Sequence, residues 1–308
     1  MIAVFSGVLT QVVILLILIA FGFILAKKNI LTQNGVKDIT ELVLYFVTPC
    51  VIIKSFIRKF DSKMLKGLLL SFLIVVLLHI LFILISKAVI RPKDIQLKRA
   101  LQFGVIFSNC GYMSLPLQEA LLGETGVFYG ASFIAIFNLF VWSYGILLMS
   151  GDKKYLSAKK LIINPGIIGL AAGLVIFLFS IPVPKVISEP ISYIAGLNTP
   201  LPMIIIGFHL AKSDIKKAVK NIHCVTAVIL RLVAAPLMSI GLMYVCGVRG
   251  TLFSAIAIAS CAPCAAIGTM FASKFGGDAE TSASLVSLST ALSLVTMPFI
   301  ITLAGVIA

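Results

Sequence analysis

Three polar side chains lie inside long apolar segments, where each could bind a ligand or carry charge. Asn109 can donate two N–H groups to a carboxylate, or it can tie two helices together. Arg231 could be the counter-charge of an anionic substrate, or a structural ion bonded to backbone carbonyls. His79 could relay protons, or it could make an ordinary interhelical contact. Both interpretations of each residue stay open from the sequence.

Two apolar segments, 107–117 and 259–269, are interrupted by proline, glycine and small polar residues. Proline removes a backbone donor and clashes with the preceding turn, so each segment is predicted to be a broken helix. A matched pair of broken helices is the best sequence indication of a transport site, because the freed backbone groups need partners in a membrane. Half-helix N-termini would present free N–H groups to an anion. The alternative is a pair of ordinary proline kinks.

The residues predicted to bind the substrate belong to these two segments. Neither segment contains Asp or Glu, which favours an anionic substrate. Arg231 and His79 are candidates for charge or proton coupling. The substrate-binding candidates are Asn109, Cys110, Gly111, Tyr112, Pro116, Pro263, Cys264 and Ala265.

Catalytic and metal chemistry is not indicated. The three histidines lie on different predicted helices, without the H-E-x-x-H spacing of zinc enzymes. A hydrolase needs a base beside its nucleophile, and no such pair is recognisable. Cys261 and Cys264 have redox-motif spacing, but their apolar context favours small residues packed at a helix interface. We therefore predict no enzyme, no catalytic residue, no metal and no cofactor.

The composition indicates what positions these residues. Of 308 residues, 60% are hydrophobic and 12% charged, about half the ~25% of a soluble domain. The net charge of +14 comes from short basic groups between apolar runs, as the positive-inside rule expects. No basic stripe is interleaved with exposed aromatic residues. The sequence therefore predicts a protein whose partner is the lipid bilayer and not nucleic acid.

Ten apolar runs are long enough for membrane-spanning helices, which need about 20 residues each. We therefore predict an all-α polytopic membrane protein. The predicted helices cover about residues 5–26, 38–57, 64–90, 98–122, 126–149, 164–181, 187–211, 219–246, 251–274 and 279–306.

The distribution of lysine and arginine predicts the orientation. Most basic residues follow odd-numbered helices, as at 153–154, so those loops are predicted to be cytoplasmic and both termini extracytoplasmic, in the plasma membrane. The basic residues between Lys54 and Lys66 contradict this rule. Lys54 is expected to extend to the lipid headgroups, and Glu119 and Glu124 are expected to be solvated.

An internal repeat is indicated at an offset of 151 positions. Because each match relates helix n to helix n+5, and five is odd, the second half must enter the membrane upside down. The sequence thus predicts two inverted five-helix repeats, residues 1–150 and 151–308. The matches pair Thr48–Pro49 with Thr199–Pro200, Gly22 with Gly173, Cys110 with Cys261 and Gly126 with Gly277.

Motifs in three predicted helices resemble the auxin efflux carrier (AEC) family, and the resemblance extends over the whole chain. The helix-4 motif matches Asn109–Leu117, the helix-9 motif matches Ala262–Gly277, and the helix-2 signature matches Tyr45–Pro49. The resemblance implies that helices 4 and 9 cross, each broken at its proline. It also implies a transport domain that moves against a scaffold domain in an elevator-like way. Plant members export the auxin anion, and bacterial members include permeases named for malate and malonate.

The family's functional positions map onto residues of this chain. Its helix-4 asparagine falls on Asn109, and its two crossover prolines fall on Pro116 and Pro263. Plant members carry a polar amide after the helix-9 proline, where this chain has Cys264. That departure implies a prokaryote-type permease for a dicarboxylate or related acid rather than an auxin carrier.

The expected function is secondary-active transport of a small organic anion, with a homodimer as a further candidate assembly. One alternative is a sodium-coupled organic-anion symporter of the bile-acid type, which would need carboxylate or amide ligands for Na⁺ near the breaks. Another is a non-transporting membrane sensor, which flux measurements in proteoliposomes would distinguish from a carrier.

Overall fold

The computed structural model describes residues 2–157, 164–212 and 215–308, and it is helical almost throughout those ranges. The α-helices of the first half are α1 (Ile2–Lys27), α2 (Gln33–Leu42), α3 (Thr48–Phe56), α4 (Ser62–Val89), α5 (Ile95–Ile106), α6 (Leu115–Phe140) and α7 (Ile146–Ser150). Those of the second half are α8 (Pro165–Leu178), α9 (Lys185–Gly196), α10 (Pro200–Lys212), α11 (Ile215–Lys220), α12 (Ile222–Ile229), α13 (Ala235–Val245), α14 (Gly250–Cys261), α15 (Ile267–Lys274) and α16 (Ala279–Ile307).

Short π-helical turns join several of these α-helices into longer ones. Three of these turns stand directly before a proline-containing turn, at Pro49, Pro116 and Pro236. A proline lacks the N–H of the regular ladder and clashes with the carbonyl four residues earlier, so a wider turn accommodates it. These prolines thus bend helices without ending them. A fourth π-turn, Val141–Gly145, has no proline after it, and it joins α6 to α7.

Seven helical stretches of the described chain are long and apolar enough to cross a membrane, by length and composition. Two shorter apolar helices, α8 and α14, accompany them. Large apolar side chains project outward from the long helices, as Ile17 and Leu69 do with about 60% of their surface exposed (63% and 59%). An outward-facing apolar surface of this kind requires lipid. The prediction of an all-helical polytopic membrane protein is therefore confirmed at this level.

The longest stretch, Cys110–Ser150, holds two helices that fold back on each other. Gly123 has φ 63° and ψ −161°, a conformation outside the helical region that favours glycine. A Cβ placed on Gly130 would overlap the Gln118 side-chain oxygen and lie 2.6 Å from its carboxamide carbon. In a straight helix those positions would be about 18 Å apart. The chain therefore reverses at Gly123, between the predicted helices 98–122 and 126–149.

Other boundaries differ from those predicted. The segment expected as one helix at 187–211 is divided into α9 and α10 by the turn at 197–199, before Pro200. The predicted loop at about 150–163 contains a short 3₁₀ turn at Lys153–Tyr155, and its second part lies outside the described residues. Side chains cap the helices that follow polar loops: Thr32, Asp61, Asp94, Asn164, Asn221 and Asp278.

In two pairs of helices, glycine residues allow the two backbones to lie in close contact. Gly22 of α1 faces the backbone of Ile204 in α10, and Gly207 of α10 faces the backbone of Ile19 in α1. In the second pair, Gly169 of α8 faces the backbone of Pro49 in α3. Small residues let helix backbones come this close, which is the usual way for helices to associate in membranes.

Candidate substrate site at the paired helix breaks

The two helices predicted to be broken meet at their breaks. After α5 and α14 end, residues 107–109 pair antiparallel with residues 263–265, with Ser108 opposite Cys264. The break in each helix leaves backbone N–H and C=O groups without helical partners, and the two segments hydrogen-bond to each other through such groups. An interrupted helix needs partners of this kind in an apolar environment. We call these two segments the paired breaks. Their hydrogen bonds run from Asn109 N–H to the Pro263 carbonyl (2.7 Å) and from Ala265 N–H to the Phe107 carbonyl (2.9 Å).

The sequence forms the two breaks in different ways. In the second, Ala262 is extended (φ −62°, ψ 149°) because the residue before a proline is driven out of the helical region. The first lies seven residues before its proline, and Pro116 instead follows the π-helical turn Cys110–Ser114, which accommodates its missing N–H. The resemblance implied that helix 4 breaks at its proline. The structure corrects this by placing the break at 107–109.

Asn109 precedes the π-helical turn Cys110–Ser114, which continues into α6 and forms the second half of the broken helix predicted at 98–122. Its backbone takes part in the paired breaks, but no hydrogen bond of its carboxamide is found with any described residue. The residue is buried, with 7% of its surface exposed. No atom outside the local backbone lies within 4 Å of the position that a Cβ on Gly111 would take. Tyr112 is partly exposed. An unpaired amide therefore lies beside the start of a half-helix.

The other predicted binding residues lie at the same place but behind this surface. Cys110 keeps 2% of its exposure, Ala265 3% and Cys264 none. Pro116 and Pro263 are also buried. Among the predicted binding residues, Gly111 and Tyr112 are therefore partly exposed, Asn109 keeps 7% of its exposure, and the remaining five are buried. Ala266 and Ile267, at the start of α15, are partly exposed and were not predicted.

Arg231 bonds to backbone carbonyls, the second of the two roles considered for it. The side chain is fully buried in the π-turn Leu230–Ala234. Its Nη1 donates to the carbonyls of Val105 (3.0 Å) and Ile106 (3.3 Å), and its Nη2 donates to the carbonyl of Ser260. The guanidinium therefore caps the C-terminal ends of both α5 and α14, immediately before the paired breaks.

His79 lies in a cluster of aromatic side chains. Its Nδ1 is 2.8 Å from the Val75 carbonyl, and its ring stacks on Phe140 at 5.1 Å between centroids. The buried Nε2 has no partner among the described residues. Phe82, Phe107 and Phe133 complete the cluster. No group of three His, Cys, Asp or Glu side chains in the described ranges could hold a metal ion.

Helix α16 packs against the paired breaks through serine side chains. The sequence analysis did not predict these contacts. The Ser289 hydroxyl accepts the Cys264 N–H at 3.1 Å, and the Ser293 hydroxyl lies 3.9 Å from the Met113 sulfur. Ser282 contacts Thr269 of α15 at 3.3 Å through its hydroxyl. These serines recur at intervals of seven and four residues, on one side of an apolar helix. That spacing in the sequence could have predicted a polar contact surface on α16.

Two ion pairs link the end of α3 to the turn at Gly123. Lys54 Nζ lies 3.1 Å from Glu119, and Arg58 Nη2 lies 3.6 Å from Glu124. Lys54 and Glu119 are thus paired and only partly exposed, whereas Glu124 keeps 51% of its side-chain exposure, as expected of a solvated carboxylate. The extension of Lys54 to the headgroups stays a prediction. Lys54 and Arg58 are two of the five basic residues between Lys54 and Lys66 that contradict the charge rule. Their ion pairs do not remove the contradiction, because acidic residues contribute little to that rule.

The fold and this site define a helical membrane protein whose broken helices meet inside the apolar region, which is typical of transporters. The chain belongs to the auxin efflux carrier family, because the model of the family described as membrane transport protein matches residues 7–301. The resemblance seen in the sequence is thereby confirmed. An uncharacterized transporter of Methanothermobacter thermautotrophicus is 25% identical over 299 residues, covering 96% of this chain and 98% of that protein. An uncharacterized transporter of Methanocaldococcus jannaschii is 23% identical over 293 residues, covering 92% and 94%.

Proposed function

We propose that this protein is a secondary-active carrier of a small organic anion, of the mono- or dicarboxylate class that includes malate and malonate. The observation that carries the proposal is the Asn109 carboxamide, which has no partner among the described residues and lies beside a half-helix N-terminus. A carboxylate there would accept its N–H groups and meet the positive end of the helix dipole. The absence of Asp and Glu from both broken segments supports an anion over a cation.

We further propose that the chain crosses the membrane ten times as two inverted repeats, 1–150 and 151–308. The reversal at Gly123 and the two shorter apolar helices support this proposal, since they would add three crossings to the seven long stretches. Gly22 and Gly173, matched in the sequence, both lie at close helix contacts, α1 on α10 and α8 on α3. At the paired breaks the residue opposite Cys264 is Ser108. Such repeats permit elevator-like exchange between inward-open and outward-open states.

The proposed substrate charge predicts how a matched pair of ligands will behave. Malonate should raise the thermal stability of the purified protein, because a ligand that binds only the native state stabilises it by about 2.7 kcal/mol at 100 times its Kd. Malonamide has the same skeleton without the charges and should give no comparable shift. Stabilisation by malonamide as large as that by malonate would contradict an anion site.

Uptake into proteoliposomes would separate carriers from sensors and identify coupling. Labelled malonate should accumulate inside vesicles that contain the protein and not inside empty vesicles. Uptake that requires an imposed sodium gradient would favour the sodium-coupled alternative, and binding without any flux would favour a sensor.

The charge distribution predicts the orientation of the chain in the plasma membrane. In a variant with the exposed Cys246 changed to serine, a cysteine at Lys153 should react with an impermeant maleimide only after the cells are permeabilised. A cysteine at Lys185, the exposed first residue of α9, should react in intact cells. The opposite labelling pattern would place both termini in the cytoplasm.

A further inference from the structure

Arg231 is the fully buried cation of the described chain, and it has no acidic partner there. It bonds to three carbonyls that belong to two different half-helices, Val105 and Ile106 at the end of α5 and Ser260 near the end of α14. Its guanidinium carbon lies 5.1 Å from the centre of the Phe82 ring, a cation–π geometry. Its charge is thus stabilised by dipoles and an aromatic face alone.

The position of this cation has an electrostatic reason. The last carbonyls of a helix lack partners and form the negative end of its dipole, so two such ends brought together repel each other. In carriers built on discontinuous helices, half-helix C-termini of this kind coordinate a cation bound from solution. Here a guanidinium occupies that place, and its planar fork of donors can bond to both ends while staying charged at any physiological pH.

We propose that Arg231 is a tethered cation that holds the two half-helix ends together and thereby positions the anion site at the paired breaks. It is a positioning residue, because it bonds to the carbonyls before the breaks and acts on the substrate through residues 107–109 and 263–265. This inference rests on the proposed function only for its ligand, since the cation site itself is independent of what the protein transports.

Chemical rescue tests the inference. Arg231→Ala should leave a place for a free guanidinium ion between the carbonyl ends. We expect the variant to melt at a lower temperature than the unmodified protein and to bind malonate about tenfold more weakly or worse, which corresponds to ~1.4 kcal/mol. Millimolar guanidinium, present from solubilisation onward, should restore both quantities. Urea, which has a similar planar shape and donors but no charge, should restore neither.

Arg249→Ala is the matched control. Arg249 also bonds to backbone carbonyls, those of Tyr244 and Val248, and stacks on an aromatic ring at 4.6 Å. It lies at the start of α14, away from the paired breaks, so malonate affinity should be unchanged and guanidinium should have no effect. Equal rescue of Arg231→Ala by urea, or equal rescue of the Arg249 variant, would overturn the proposal.

A second pair of variants covers the case in which the alanine variant does not fold. Arg231→Lys keeps the charge, whereas Arg231→Met keeps the apolar bulk. The tethered cation predicts that the lysine variant has the higher melting temperature and the higher malonate affinity. If the methionine variant equals or exceeds the lysine variant in melting temperature and in malonate affinity, Arg231 contributes only packing. Buried ions can often be replaced by apolar residues without loss of stability. If no carboxylate binds the unmodified protein, the proposed function fails, while thermal rescue by guanidinium still decides the cation site.

Discussion

Changing Gly207 to alanine is expected to destabilise the protein by about 3 kcal/mol, the upper part of the usual range for overpacking. A Cβ at this position would overlap the Ile19 carbonyl oxygen and lie 2.7 Å from the Phe23 amide nitrogen of α1. Both are backbone atoms of a regular helix, so no side-chain rotation relieves the overlap. α1 and α10 must separate along their whole contact, and a lower melting temperature of the purified protein would report it.

Gly241→Ala provides the control for this prediction. Gly241 also lies in a helix, α13, but no atom of a neighbouring element lies within 4 Å of the position that a Cβ would take, and the residue is exposed. The same substitution should there be neutral or stabilising by up to about 1 kcal/mol, since alanine has the higher helix propensity. Equal melting temperatures for the two variants would mean that the glycine contact between α1 and α10 contributes nothing to stability.

The sequence predicted the features that follow from local chemistry. Pro263 and the small polar residues around Asn109 indicated two broken helices, because proline and unpaired backbone groups act on their own turns. Apolar runs and their polar ends located most helices to within a few residues. The reversal at Gly123 was also predicted, since charged residues and glycine interrupt the apolar run there.

Features that depend on partners distant in the chain were not predictable. Lys54 and Glu119 lie 65 positions apart, and nothing in either segment identifies the other as its partner. The contact of Ser289 with the Cys264 amide likewise depends on how α16 packs. Two roles were open for Arg231 from its sequence context, and the α5 and α14 carbonyls that it contacts belong to distant parts of the chain. The internal repeat stays a prediction, because matches such as Cys110 with Cys261 pair small residues that are common in membrane helices.

Asn109→Ala is expected to weaken substrate binding roughly ten- to hundredfold, because a hydrogen bond to a charged group contributes about 1.5–3 kcal/mol and each 1.4 kcal/mol is about a factor of ten. The same change should cost little thermal stability. The carboxamide bonds to no described residue, and the backbone bond from Asn109 N–H to the Pro263 carbonyl does not need the side chain. Asn109→Asp should bind more weakly still, since its negative charge would repel the anion.

Asn138→Ala is the matched variant, because Asn138 is another asparagine of an apolar helix but its amide is already occupied. Its Nδ2 donates to the Ile134 carbonyl at 2.9 Å. We expect this variant to keep its malonate affinity, whatever happens to its melting temperature. Affinity and melting temperature should be measured on the same preparation of each variant, so that a loss of folded protein is not mistaken for a loss of binding. If Asn109→Ala lowers the melting temperature and leaves the affinity for malonate intact, Asn109 ties helices together, and the site proposed here does not bind the substrate through this residue.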